Sequence, residues 1–274
     1  MRTFAGRRLR NTGITVAVLA GVVCWVDWRE QALGNASFDT GYLLLGGLLF
    51  LAMYNLRKKL PVLPLGSSST WLQWHLYVGL AAIVVCCLHL EWSWPGGVLN
   101  TVLATLFFLT AGSGIVGLIW TRTLPGKLAR IGEEVIYERI VMLRGQIRDR
   151  AHQSLLDTAR SAGDATLGEF YAERLHGYFE KPRGWPYYLR PSSALRRRLL
   201  AELTEAQRYF SDPERKAAEE IFALIRKRDD LDYHEAMQWR LKVWLIVHIG
   251  LTYPLVLLAC LHGWLAHRFS GGLP

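Results

Sequence analysis

Five stretches of this chain are apolar over nearly the length needed to cross a bilayer, and that fixes the solvent in which most of it must fold. A helix rising about 1.5 Å per residue needs roughly 20 apolar residues to span a hydrocarbon core of about 30 Å. The stretches are 13–28, 41–56, 71–90, 98–120 and 243–266. Without water in that core, every backbone N–H and C=O must be paired inside its own segment, so each stretch reads as a transmembrane α-helix. A hydrophobic content of 51% agrees. The first stretch follows Arg2, Arg7, Arg8 and Arg10 and also resembles a secretory signal. No small-residue cleavage site follows it, so it is expected to be retained.

Between the fourth and fifth stretches lies a segment of another kind. Residues 121–240 carry 22 Lys or Arg against 19 Asp or Glu and should face water. Leu128, Ile131, Val135, Ile140, Leu143 and Ile147 recur at helical spacing and predict an amphipathic helix. Ser211 and Glu214 flank Pro213 as a capping box that opens a second helix, with an end expected near Lys227. From 178 to 191, aromatic residues alternate with Pro182, Pro186, Pro191 and basic residues, which reads as an irregular loop. The expected organisation is an all-α integral membrane protein. It has transmembrane helices one to four over 1–120, a cytoplasmic charged helical insert over 121–240, and a fifth transmembrane helix with an outer tail over 241–274.

Charge sets the expected orientation. Basic residues at 2–10 and Arg57, Lys58 and Lys59 flank the first two helices, whereas the loop between them carries Asp27, Glu30 and Asp39 against Arg29. The N-terminus and the insert are therefore read as cytoplasmic, with the loop 91–97 and the tail outside, in the plasma or inner membrane. Trp25, Trp28, Trp71, Trp92, Trp94, Trp120 and Trp264 lie near helix ends, where interfacial indoles belong. A net charge of +9 placed in this way marks membrane orientation and not nucleic-acid binding. Cys24, Cys86, Cys87 and Cys260 all fall in apolar stretches without a C-x-x-C pair, which removes covalent haem, zinc knuckles and cysteine-ligated clusters.

Only two of the apolar stretches contain histidine, and each contains a pair. Fourteen residues separate His75 from His89, and fourteen separate His248 from His262. Fourteen residues make close to four turns, which puts both members of a pair on one helix face about 21 Å apart along the axis. The third and fifth helices run in the same direction in the expected topology, so His75 comes level with His248 and His89 with His262. Each level presents two imidazoles to one planar porphyrin, the inner pair being His75 and His248 and the outer pair His89 and His262. Neutral imidazole is a good axial donor to haem iron, so the expected cofactors are two haem b. Ionisable groups at membrane depth are costly and commonly functional. A proton-coupled transporter using the same histidines is the alternative from another class. His152, His176 and His234 in the insert and His267 in the tail are expected at the surface.

Gly79 follows His75 by one turn and Gly250 adjoins His248, while Gly46, Gly47, Gly112, Gly114 and Gly117 stud the neighbouring helices. Small residues let a macrocycle or a backbone come close. Pro254 lies between the two histidines of the fifth helix and is expected to bend it.

With these four histidines, the chain resembles the di-haem b-type membrane cytochromes: ferric-reductase-like and NADPH-oxidase transmembrane domains, and the haem bundle of cytochrome b in the cytochrome bc complexes. That family places one histidine pair at thirteen- or fourteen-residue spacing on each of two parallel helices. The resemblance covers about half the chain, the helices between 41 and 266, and it implies a four-helix di-haem bundle that moves electrons across the membrane. The chain departs from it in the long charged insert and in showing no flavin or nucleotide pattern. The expected role is thus one subunit of a respiratory or redox complex. Its partners would be membrane lipid and other redox subunits, either a cytoplasmic iron–sulfur protein or flavoprotein or an extracytoplasmic cytochrome. Quinone is the further partner of a quinol-oxidising or quinone-reducing variant, for which Asp27, Glu91 and Glu235 are candidates by location.

The charge asymmetry generates a test of orientation. An engineered cysteine within 121–240 is expected to stay unlabelled by an impermeant thiol reagent in intact cells and to react once the membrane is opened. Labelling in intact cells would invert the topology.

Overall fold

The structure, a computed structural model, describes residues 4–32, 34–59, 67–129, 135–162 and 166–269. Among these the chain is helical, with no strand. Helices α1 (Phe4–Gln31), α2 (Ala36–Lys59), α3 (Ser68–His89) and α4 (Val98–Leu128) come first. Then follow α5 (Tyr137–Ala162), α6 (Thr166–Phe170), a π-helical turn (Tyr171–Leu175), α7 (His176–Glu180), α8 (Trp185–Leu189) and α9 (Ala194–Ala206). A 3-10 turn (Gln207–Tyr209) leads into α10 (Asp212–Phe269). Five helices, α1 to α4 and α10, are long and apolar enough to cross a membrane.

The chain divides into two compact units, Met1–Ile119 with Trp244–Pro274, and Trp120–Val243. In the first, α2 packs on α3 and α1 packs against both. Leu48, Ala82, Cys86, Phe107, Leu255 and Ala259 form its buried centre. Ile14, Val16, Val18, Leu109, Ile119, Ile246 and Leu257 are each more than half exposed. In water that much apolar surface would be unfavourable at about 25 cal/mol per Å², whereas acyl chains solvate it. The helices are long and apolar enough to cross a membrane, and the surface they present is of the kind acyl chains solvate.

Local sequence explains where α3 begins and stops. Ser67 caps its start, its Oγ accepting from the Thr70 N–H at 3.2 Å. After His89 the chain turns sharply: Glu91 and Trp92 take left-handed φ of 50° and 56°, an uncommon conformation for side chains of that size. The amides of Leu90, Glu91 and Trp92 bond back to the carbonyls of Cys86, Leu88 and Cys87. The turn places the Glu91 carboxylate on the Ser37 hydroxyl, which donates to it at 2.7 Å.

In the unit Trp120–Val243, Ile140, Ile147, Leu167, Leu175, Leu203, Ile221 and Ile225 make the core. The amphipathic helix begins later than its periodicity predicts. Leu128 closes α4, Ile131 lies outside the described residues, and Val135 precedes α5. The segment 178–191 is not all irregular, since the end of α7 and all of α8 fall in it, with Pro186 in the first turn of α8. The capping box forms, with the Ser211 N–H and hydroxyl both donating to Glu214 Oε2 at 2.9 Å. The helix it opens does not end near Lys227. No glycine or proline occurs between Pro213 and Gly250, so nothing breaks it, and α10 runs on to Phe269 through Pro254.

His234 is buried at 3% exposure, contrary to its expected surface position. From Arg228 to Arg240 no residue of α10 is exposed, and buried Arg228, Leu231, Asp232, His234, Ala236 and Met237 point in all directions around the helix. His152 and His176 are exposed, as is His267, whose Nδ1 lies 3.1 Å from the Tyr42 hydroxyl.

Three arginines converge on buried Asp232: Arg144 at 3.1 Å, Arg183 at 2.8 Å and Arg228 at 3.2 Å. Arg228 is fully buried and also donates to the carbonyls of Phe179 and Lys181. Burial pulls its guanidinium below the usual value, and Asp232 pushes it back up. Asp232→Ala is expected to destabilise this unit by about 3–5 kcal/mol, because it takes the carboxylate from fully buried Arg228, while Arg144 and Arg183 keep Glu235 and Asp229. Glu205→Ala removes only an exposed pair with Arg208 and should change stability by less than about 1 kcal/mol. Denaturant unfolding read by protease cleavage within 121–243 compares the two, and equal effects would contradict the assignment.

Candidate functional site

The four half-buried histidines of α3 and α10 meet in pairs. His75 faces His248 with ring centroids 6.4 Å apart, and His89 faces His262 at 6.3 Å. The two helices therefore run in the same direction at this site, with one pair per level. They are not packed backbone to backbone, since the close packing in this unit is among α1, α2 and α3.

The separation carries chemical meaning. A ring nitrogen bonds a metal at about 2.0–2.1 Å and the ring centre lies about 1.1 Å behind it, so two imidazoles on opposite sides of one metal hold their centroids about 6.3 Å apart. Both pairs match that distance, which is at the long end of direct ring-to-ring packing. The ring planes cross at 73° and 83°, an arrangement open to two rings that each stand upright on a plane between them. No group of three or more His, Cys, Asp or Glu able to hold a metal occurs among the described residues. Two protein donors per level fall short of a structural zinc site. They fit an iron whose four equatorial donors come from a porphyrin.

Hydrogen bonds fix which nitrogen is available. His89 Nδ1 lies 2.8 Å from the Ser37 carbonyl, which only accepts, so Nδ1 carries the proton and Nε2 keeps its lone pair. Thr40 Oγ1 lies 3.4 Å from the same nitrogen and gives its own proton to the Ala36 carbonyl at 2.8 Å. At the other level His248 Nδ1 is 2.6 Å from Ser113 Oγ. That hydroxyl also has the Thr110 carbonyl at 2.8 Å to take its single proton; with the proton there it accepts from His248 Nδ1, which leaves Nε2 as the donor atom. The Trp244 indole N–H donates to the Ser113 carbonyl at 2.7 Å, and its ring stacks on His248 at 5.7 Å and 24°. The Tyr54 ring lies 5.2 Å from that of His75.

Small residues shape the surroundings. A Cβ on Gly41 would sit 3.0 Å from His89 Cε1, and one on Gly114 would sit 3.5 Å from His248 Cε1. A Cβ on Gly117 would fall 1.8 Å from the Trp244 ring. Gly46, Gly47, Gly112 and Gly250 have no atom within 4 Å of that position, and Gly79 meets only Leu51 at 3.9 Å. Of the glycines singled out in the sequence, Gly114 and Gly117 thus make the close approaches. A cavity of about 440 Å³ opens around His89 and His262, walled by Leu45, Leu48, Phe107, Leu255 and Ala259. It has the size and apolar lining of a small-molecule or cofactor site.

Ser37, Ser113 and Trp244 were missed in the sequence. Trp244 stands four residues before His248, one turn away on the same face, which is a usable signal. Ser113, between Gly112 and Gly114, gave none. Of the acids named by location, Glu91 and Asp27 border cavities, whereas Glu235 is held by Arg144 and by the Tyr188 hydroxyl at 3.0 Å. No family model, no curated protein and no solved structure matches the chain.

The Gly117 slot can be tested directly. Gly117→Ala is expected to destabilise the protein by about 1–3 kcal/mol through overpacking against Trp244. In a double-mutant cycle with Trp244→Ala most of that loss should vanish. Additive effects would mean the two do not touch.

Proposed function

We propose that the chain is a membrane b-type cytochrome, a subunit that holds two haems between α3 and α10 and carries electrons across the bilayer. The observation that supports this most is the repeated imidazole separation, 6.4 Å and 6.3 Å, at two levels of two parallel helices. His75 and His248 would hold one haem, and His89 and His262 the other. A haem held by two imidazoles would supply one-electron transfer.

The residues of the chain do the rest. Ser37 and Ser113 hold the Nδ1 protons of His89 and His248 and so present Nε2 inward. Leu48, Phe107 and Leu255 keep water from the space beside His89 and His262. Fourteen residues of helix set the two levels about 21 Å apart, so the pair of sites covers most of the hydrocarbon thickness. The donor and acceptor would be partner subunits, with the charged unit as the element available to dock a cytoplasmic one.

One observation favours quinone chemistry as a variant of this reading. A cavity of about 730 Å³ is lined by Asp27, Glu30 and Glu91 beside apolar Val26, Leu88 and Trp92. It shares Asn35, Ser37 and Glu91 with the cavity at His89. Carboxylates there would take the protons that a quinol releases as its electrons leave.

The purified chain is expected to contain two haems and to show a reduced b-type spectrum with dithionite. His75→Ala or His248→Ala should remove one haem and His89→Ala or His262→Ala the other, whereas His152→Ala and His176→Ala leave the spectrum unchanged. Two haems retained after His75→Ala would overturn the proposal, and a colourless protein would point to the transporter alternative.

A further inference from the structure

We propose that Ser113 is a positioning residue for His248 that sets the reduction potential of the haem at the His75 and His248 level independently of the other. The inference rests on the di-haem reading and deepens it. The two levels differ in what receives the Nδ1 proton of the locked imidazole. His89 gives it to a peptide carbonyl, that of Ser37, at 2.8 Å. At His248 the group beside Nδ1 is a side-chain hydroxyl, Ser113 Oγ, at 2.6 Å.

That hydroxyl is itself held. Its proton goes to the Thr110 carbonyl at 2.8 Å, one turn back on α4, which leaves its lone pairs facing α10. The Ser113 carbonyl receives the Trp244 indole N–H at 2.7 Å, and the same indole lies flat against His248. Gly114 and Gly117 provide the room: a Cβ at 114 would touch the imidazole at 3.5 Å and one at 117 would enter the indole. About two turns of α4, from Thr110 to Gly117, and one turn of α10, from Trp244 to His248, thus converge on one imidazole.

An Nδ1–H that donates to a well-held acceptor makes its ring a stronger electron donor through Nε2. A stronger axial donor favours the ferric state and lowers the potential. Loss of the hydroxyl therefore raises the potential of that haem alone. Partners of metal-bound histidines contribute roughly tenfold or more to their sites. A tenfold change in the reduction equilibrium corresponds to about 59 mV for a one-electron couple.

The test is a redox titration of the purified full-length chain and its variants, each haem being assigned through the histidine variants. Ser113→Ala should raise the potential of the His75 and His248 haem by about tenfold in its equilibrium and leave the other haem in place, which also reports that the bundle is folded. Ser113→Thr, which keeps the hydroxyl, should titrate like the natural protein. Ser113→Cys, of similar size but with a weaker acceptor, should fall between. Selective loss of the one haem in Ser113→Ala, with retention in Ser113→Thr, supports the same conclusion. If Ser113→Ala does not assemble, the decision falls to Ser113→Cys. Unchanged potentials in Ser113→Ala, or in Ser113→Cys where only that variant assembles, or equal shifts of both haems, would overturn the role of Ser113. Two haems retained in His248→Ala would instead overturn the di-haem reading itself.

Discussion

An imidazole placed in hydrocarbon has two ring nitrogens to satisfy, and in this chain one of them is satisfied by the protein in a way that commits the other. The Nδ1 atom of His89 is bonded to the Ser37 carbonyl, which only accepts, and that of His248 to the Ser113 hydroxyl, which has the Thr110 carbonyl to take its proton. Each Nε2 is then the ring atom left with its lone pair, in a unit whose surroundings are mostly apolar. Around these rings the unit has parallel α3 and α10, a fourteen-residue interval on each, and glycines on the neighbouring helices. The Ser37 carbonyl is available because a carbonyl has two lone pairs and can accept from a side chain besides its place in α2. The left-handed turn after His89 brings Glu91 to the Ser37 hydroxyl, so the residue that orients the ring is itself held from a third direction.

Glycine has a specific use here. Gly41 lets α2 approach the edge of His89, Gly114 lets α4 approach His248, and Gly117 is the floor on which Trp244 lies. In lipid there is no hydrophobic force to press helices together, so close contact must come from small residues and interhelical hydrogen bonds. The Trp244 to Ser113 bond and the Asn55 to Tyr253 bond, at 2.7 Å and 3.0 Å, are of that kind. Helix α10 is therefore tied to α4 and to α2, while its separation from α3 is left to the paired histidines.

Much of this was legible. Hydropathy alone located five apolar helices, because backbone pairing in lipid leaves few other options, and the matching histidine intervals gave the pairing and the common direction. Local signals failed where tertiary packing decided. A helix end was expected near Lys227, yet without a breaking residue the helix continued and buried Arg228, Asp229, Asp232 and His234. His234 looked exposed because its neighbours are charged, and burial of charge is invisible until the partners are in view. Ser113 was unreadable for a related reason: a hydroxyl in a transmembrane helix usually bonds its own backbone, and only the approach of His248 from a distant segment turns it into an acceptor.

Those buried charges have a role that stability alone does not explain. Replacing a buried ion pair by apolar side chains is often neutral or favourable, so a cluster such as that at Asp232 is weak support for folding energy. Its geometry is informative. Arg144 comes from α5, Arg183 from the short link between α7 and α8, and Arg228 from α10 itself, and all three reach one carboxylate. Helices of five residues such as α7 and α8 bury too little to define their own position. An apolar contact tolerates sliding by a residue or a rotation, whereas a carboxylate shared by three guanidinium groups does not, because any slip leaves a cation buried without its partner. Asp232 thus fixes the register of three segments against one another, a task that the apolar core of Leu175, Leu203 and Ile225 cannot perform by bulk alone.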